Sequence, residues 1–283
     1  MILIADSGST STDWVLLSPT LKTIICKIKT QGLNPFHKSY DEILNILNTD
    51  LKPQLILDSP IRKIYFYGSG CSQEGEKNIL RKALKTISQN ASIFVDHDTM
   101  ASAIACCGDD MGIACILGTG SNSCVYDGKS IVKTLPSLGY MLGDEGSGTH
   151  LGKGLLRLFL KNKLSSDLLD AFHQRYALSS SDVLEHLYRK DKPGAFIASF
   201  APFVMDYKEE KSMNAIIYHS FNSFFDEFIL PYPESATYPI NFVGSIAFLL
   251  SKELKEVGRK RGFSVNRIVR YPIDSLAEYH LYR

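Results

Sequence analysis

The chain is poor in the features that settle a protein's class at a glance. Its six cysteines, at positions 26, 71, 106, 107, 115 and 124, form no CxxC pair. The neighbours Cys106 and Cys107 have no matching His/Cys cluster to complete a zinc site, so reduced thiols and a cytoplasmic location are the simplest expectation. Charge of either sign is not in excess: 31 basic against 30 acidic residues leave a formal net charge of +1. No overall field recruits nucleic acid or an anionic membrane, and an anion would have to be bound locally. No uninterrupted apolar run approaches the roughly 20 residues of a membrane span. The N-terminus lacks the basic flank and long apolar stretch of a signal peptide. The common nucleotide loops are missing too. "GTHLGKG" (148–154) has Gly154 where a Walker A loop requires Ser or Thr, and "GTGSNS" (118–123) has Ser123 at the last glycine of GxGxxG.

What is present is an ordinary globular composition, 45% hydrophobic and 22% charged over 283 residues, a length that suits two lobes better than one core. Short apolar runs separated by Gly, Ser, Thr and Pro predict a three-strand meander at 1–5, 14–18 and 22–29. A helix at about 39–51, a strand at 63–68, a helix at about 74–88, a strand at 92–96 and a helix from about 99 complete a βββαβαβα order. The pattern then restarts with short strands at about 112–118, 122–126 and 130–135. "DSGSTS" (6–11) and "GTGSNS" share Gly8/Gly120, Ser9/Ser121 and Ser11/Ser123 at one constant offset, each after an apolar first strand. The second unit carries a helical insertion at 147–230, then a strand at 240–244, a helix at about 245–257, a strand at 264–269 and a final helix at about 273–281. The expected architecture is α/β: lobes at 1–110 and 111–271 facing each other across a ligand cleft, with the C-terminal helix 272–283 a candidate to rejoin the first lobe.

A turn of Gly, Ser and Thr lets backbone N–H groups and hydroxyls converge on a phosphate oxygen, although the same turns also serve plain hairpins. Asp6, beside the first such turn, suits a magnesium ligand or an Asx-turn. Asp98, where a strand meets a helix, suits an N-cap or a general base that orients a substrate hydroxyl and accepts its proton. "GYMLGDEGSG" (139–148) sets Asp144 and Glu145 among glycines, as polyol recognition or a capped helix would. "VGSIA" (243–247) puts Gly244 and Ser245 at a strand-to-helix joint suited to close packing against a flat ring or to an ordinary turn. His97 is expected as a packed or half-exposed histidine, and Arg259, Lys260 and Arg261 as solvated charges at a helix end.

Taken in order, these motifs resemble the sugar kinase, heat-shock chaperone ATPase and actin superfamily, and within it the BadF/BadG-type ATPase family that includes N-acetylglucosamine kinase. "DSGSTSTDW" is similar to the first phosphate motif, "VDHDTMASAIA" to the first connecting motif, "GTGSNS" to the second phosphate motif and "VGSIA" to the adenosine motif. "GYMLGDEGSG" is similar to the segment after the second phosphate motif in N-acetylglucosamine kinases. The resemblance implies two ribonuclease H-like, actin-like ATPase lobes that close on ATP, Mg²⁺ and an amino sugar phosphorylated at its 6-hydroxyl. By position it implies Asp98 as catalytic residue and Asp6 as metal ligand. Ser9, Thr10, Thr119, Gly120, Gly244 and Ser245 would face the nucleotide, and Asn34, Gly70, Cys71, Asn122, Asp144 and Glu145 the sugar. Ser7 and Ser9 replace glycines of the first motif and Ser11 its basic residue, so a retuned phosphate grip is expected. "GSGCSQEGE" matches the sugar loop only loosely. No nucleic acid or membrane partner is expected, and a homodimer is left open. Two rivals stand beside the kinase: an ATPase activator of a dehydratase or reductase holding a [4Fe–4S] cluster between two subunits, and a non-catalytic sugar or nucleotide sensor.

Overall fold

The computed structural model describes residues 1–8 and 10–282. The chain divides into two compact units. The first is Met1–Asp110 with Gly128–Ser130 and the segment from Tyr271; the second is Met111–Asp127 with Ile131–Arg270.

In the first unit β1 (Ile2–Ser7), β2 (Ser11–Ser18) and β3 (Thr23–Gln31) form the antiparallel meander. Helix α1 (Tyr40–Ile46) leads to β4 (Lys63–Gly68), and α2 (Glu74–Leu84) leads to β5 (Ser92–His97) and α3 (Asp98–Cys107). Strands β4 and β5 run parallel to β1, and the sheet order is β3-β2-β1-β4-β5. Ser39 opens α1 through a complete capping box with Glu42. The helix expected to reach residue 51 is α-helical only to Ile46; Leu47–Leu51 widen into a π-turn that buries both leucines before Pro53 stops it. His97, not Asp98, caps α3, its ring accepting from the Met100 N–H. Asp98 is the first helical residue.

The second unit repeats the plan. Strands β6 (Gly112–Leu117), β7 (Ser121–Tyr126) and β8 (Ile131–Thr134) are antiparallel, and β9 (Ile240–Val243) and β10 (Val265–Val269) continue parallel to β6 in the order β8-β7-β6-β9-β10. Between β8 and β9 run seven α-helices, α4 (Gly139–Leu142), α5 (Gly148–Leu160), α6 (Ser166–Tyr176), α7 (Ser180–Arg189), α8 (Pro193–Ala198), α9 (Ala201–Asp206) and α10 (Lys211–Phe224). They bury Phe172, Phe200, Phe203, Phe221 and Phe224 completely, which explains why so long an insertion holds its place. Two details depart from expectation. The glycine-rich stretch at 139–148 opens with the single turn α4, and the helix expected at 245–257 breaks at Leu250 into α11 (Ser245–Leu249) and α12 (Ser251–Lys260).

The chain ends in α13 (Pro272–Leu281), which belongs to the first unit. Strand β1 is apolar on both faces because both are covered. Leu3 and Ala5 pack in one cluster with Ile43 of α1, Leu47 of the π-turn and Leu80 and Leu84 of α2, while Ile2 and Ile4 pack with Ala101 and Ile104 of α3 and Ile273, Leu276 and Ala277 of α13.

Candidate functional site

Strand register brings the first unit's candidates to one edge. Ser7, Gly68 and His97 stand side by side at the carboxyl ends of β1, β4 and β5, the edge where α/β folds place their ligands. Asp6 lies one residue back on β1, opposite Asp13 of β2, so it is a strand residue and makes no Asx-turn. Both Asp6 and Asp98 are half-buried. Burial is the main reason the Asp6 carboxyl is pushed up to about 7, with the charges of Asp98 and Asp13 adding to it. Burial likewise raises Asp98, opposed by His97 and by hydrogen bonds from Thr99. The nearby Lys77 pairs with Asp96 at 2.9 Å. Among the described residues no lysine or arginine forms an ion pair with Asp6 or Asp98.

Two loops close beside them. The Ser69 N–H donates to the Ser7 carbonyl at 2.8 Å, and Asn34 donates from Nδ2 to Ser69 Oγ while its Oδ1 accepts from the Phe36 N–H. Gly70 has φ +78°, and a Cβ there would sit 2.2 Å from Asn34 Oδ1; only glycine admits that approach. Cys71 is fully buried, and burial with the Asp98 charge pushes its thiol up to about 12, so it backs the loop as a neutral packing group. Thr10 is exposed on the turn between β1 and β2, its carbonyl accepting from the Gly32 N–H. Ser9 lies outside the described residues.

Ser7 answers the question raised by the missing glycine. It is buried, and its hydroxyl sits in a relay: the Leu33 N–H donates to Ser7 Oγ (3.1 Å), Ser7 and Thr12 hydroxyls meet at 2.7 Å, and Thr12 donates to the Gln31 carbonyl (3.1 Å). This serine ties β1, β2 and the segment after β3 together and does not face a solute. Replacing it by the glycine that the resemblance leads one to expect, Ser7→Gly, should therefore lower stability by about 1–3 kcal/mol, since the buried Leu33 N–H loses its acceptor; urea unfolding of the parent and variant measures it.

In the second unit the turn after β6 is held from three sides. Its own Gly118 N–H donates to the Gly120 carbonyl, and the first amides of α5 reach across: Gly148 N–H to the Gly118 carbonyl at 2.8 Å and Thr149 N–H to the Thr119 carbonyl at 3.0 Å. Asp144, buried and with φ +65°, accepts the Ser121 N–H on Oδ1 and the Thr149 hydroxyl on Oδ2, both at 3.1 Å. A Cβ on Gly120 would lie 2.8 Å from Asp144 Oδ1. From the third side Gly244, at φ +123°, packs so closely that a Cβ would sit 2.3 Å from the Leu117 carbonyl oxygen; Ser245 follows as the first residue of α11. With the turn's carbonyls taken up by α5, the Thr119 and Gly120 N–H groups have no acceptor among the described residues and remain accessible. Two adjacent free N–H groups on a rigid turn suit an anion's oxygens.

The remaining candidates differ in availability. Asn122 folds its side chain onto its own strand, Oδ1 accepting from the Ser123 N–H at 2.8 Å. Glu145 is half-buried with no hydrogen bond or ion pair among the described residues, so it, and not Asp144, is the carboxylate left available in this segment. Ser69 and Thr149 carry no sequence signal of their own. Lys153, the lysine of the false Walker match, donates to the carbonyls of Tyr140 (3.0 Å) and Gly143 (2.9 Å) and braces α4. No group of three or more His, Cys, Asp or Glu side chains suited to a metal occurs among the described residues, and no described helix is long and apolar enough to cross a membrane.

Comparison with known proteins gives a consistent picture. No protein-family model matches the chain, and no curated protein does. Among solved structures, a protein of Porphyromonas gingivalis proposed to be an N-acetylglucosamine kinase is 38% identical, with 100% of this chain and 99% of that one covered and a TM-score of 0.95. A second such protein, from Chromobacterium violaceum, is 18% identical over 100% of this chain and 98% of its own, with a TM-score of 0.73. A ROK family glucokinase of Streptomyces griseus, solved with glucose and AMPPNP, is 12% identical over 98% and 97%, with a TM-score of 0.55. The last two share the fold.

Proposed function

Since the chain belongs to the sugar-kinase superfamily built on the actin-like ATPase fold, we propose that it transfers the γ-phosphoryl group of ATP to the 6-hydroxyl of an amino sugar, most simply N-acetylglucosamine. The observation that carries this reading is the Asp6–Asp98 pair: two half-buried carboxylates at a strand-end edge, raised in pKa, with no lysine or arginine paired to either among the described residues. In this reading Asp98 orients the sugar hydroxyl and takes its proton late in the transfer, as the bond from sugar oxygen to phosphorus forms and the bond to the ADP oxygen breaks. A raised pKa suits a group that must accept a proton. The Thr119 and Gly120 N–H groups hold phosphate oxygens, Gly244 and Ser245 border the nucleotide, and Asn34, Gly70 and Glu145 border the sugar.

Magnesium fits the residues present, because it is commonly held by one or two carboxylates together with substrate phosphates and water. Asp6 would hold it; when bound, the ion neutralises charge on the β- and γ-phosphates. The activator reading is disfavoured by thiol placement: five of the six cysteines are buried and Cys26 is half-buried on β3, whereas a cluster shared between subunits needs thiolates at a surface. ADP release coupled to a colour reaction, screened over N-acetylglucosamine, glucosamine, N-acetylmannosamine, N-acetylmuramic acid and glucose, tests the kinase reading. Turnover with an amino sugar supports it, and silence on every sugar with ATP and magnesium present overturns it.

The Asp6 carboxyl also sets a pH dependence. Its folded pKa of about 7 lies above the ordinary value of 3.8, so the stability it contributes is complete below that ordinary value and is lost as pH rises through about 7. Asp6→Asn should therefore melt several degrees above the parent at pH 8 without magnesium, with the gap closing toward pH 4. Melting curves across that range measure it; a variant less stable than the parent at pH 8 contradicts the assignment.

A further inference from the structure

Within the helical insertion, α5, α7, α8 and α10 line an open cavity of about 350 Å³, within the range of small-molecule sites. Its lining is mostly apolar and includes Leu160, Leu187 and Ile216, and His150, Arg157 and His219 also border it. None of these residues belongs to the turn at 118–120 or to Gly244.

The polar side chains of this lining present mainly donors. His150 Nδ1 lies 2.9 Å from Ser220 Oγ and 3.4 Å from the Gly146 nitrogen. A backbone N–H can only donate, so Nδ1 is the acceptor and the neutral ring carries its proton on Nε2. Burial, with the positive charges of Lys153, His219 and Arg157, brings the His150 pKa down to about 4, so at neutral pH it offers one N–H and no charge. Lys153 is occupied by two carbonyls. Arg157 and His219 are exposed, and among the described residues no carboxylate pairs with Arg157. A guanidinium and two imidazoles set beside apolar side chains, without a counterion among the described residues, match an anionic head on a hydrocarbon body.

We propose that this cavity binds a small organic oxyanion, a carboxylate or a phosphate monoester, with its head at Arg157, His219 and His150 and a short apolar chain against Leu160, Leu187 and Ile216. Nothing in this assignment depends on the kinase reading.

Isothermal titration of the full chain with hexanoate, hexyl phosphate, hexanol and inorganic phosphate tests it. At least one hexyl anion is expected to bind at least tenfold more tightly than both hexanol and inorganic phosphate, and the tighter anion identifies the head group. The double variant Arg157→Gln, His219→Gln changes two exposed side chains, so it should melt with the parent and lose at least tenfold in affinity for that anion. Failure of both anions to bind overturns the proposal. So does hexanol binding as tightly as they do, or unchanged affinity in the folded double variant.

Discussion

Asp98→Asn is expected to lower kcat for sugar phosphorylation by about 10²–10⁴-fold, the usual contribution of a positioned general base, while KM for ATP and sugar stays within about twofold. The reasoning rests on what the amide keeps and what it loses. Asn preserves the size of the side chain and can still accept from the Thr99 hydroxyl, which lies 3.4 Å from Asp98 Oδ1. It cannot take a proton from a substrate hydroxyl. The substitution also removes a half-buried charge whose pKa burial has raised, so the variant should be no less stable than the parent at neutral pH and above. A dead but well-folded enzyme that still binds both substrates is the expected outcome. Near-normal turnover would remove Asp98 from the chemistry, whereas intact binding with no phosphoryl transfer to any sugar by the parent itself would favour the sensor.

Asp144→Ala should act on the nucleotide and not on the sugar. Both carboxylate oxygens are engaged, with the buried Ser121 N–H and the Thr149 hydroxyl, and the side chain braces the turn whose Thr119 and Gly120 amides are proposed to hold phosphate. Removing it orphans a buried donor that had a charged acceptor, a loss of about 3 kcal/mol in stability. It also frees the turn, which should raise KM for ATP tenfold or more. Asp144→Asn keeps an oxygen for Ser121 and should recover most of both effects. A rise confined to the sugar KM, with ATP unaffected, would return Asp144 to direct sugar contact.

Much of this was readable from the sequence, for identifiable reasons. Strands such as Lys63–Gly68 are short apolar runs between turn residues, and their limits follow from composition alone. The restart of the βββ pattern was visible because both turns need small residues after an apolar strand. Partnership across distance was not visible. Asp144 and Ser121 are 23 residues apart, and nothing in "GDEGSG" distinguishes an aspartate folded back on a turn from a neighbouring glutamate left available. Ser7 looked like a lapse from a glycine motif because its partner amide, on Leu33, is reached only after β2 and β3 have folded back. The break at Leu250 carried no Gly or Pro to announce it. The register that brings Asp6 near Asp98 comes from two parallel crossovers, which short-range patterning does not encode.

The return of α13 to the first unit bears on how the protein is made. The layer over Ile2 and Ile4 is completed by Ile273, Leu276 and Ala277, so β1 waits for a helix that is made only after the second unit. By then nearly all of the second unit, ending at Arg270, has already been synthesised and can fold. During translation the first unit would thus stay open longer than the second, its β1 face bare to solvent and to chaperones, and would close only after the second unit had been made.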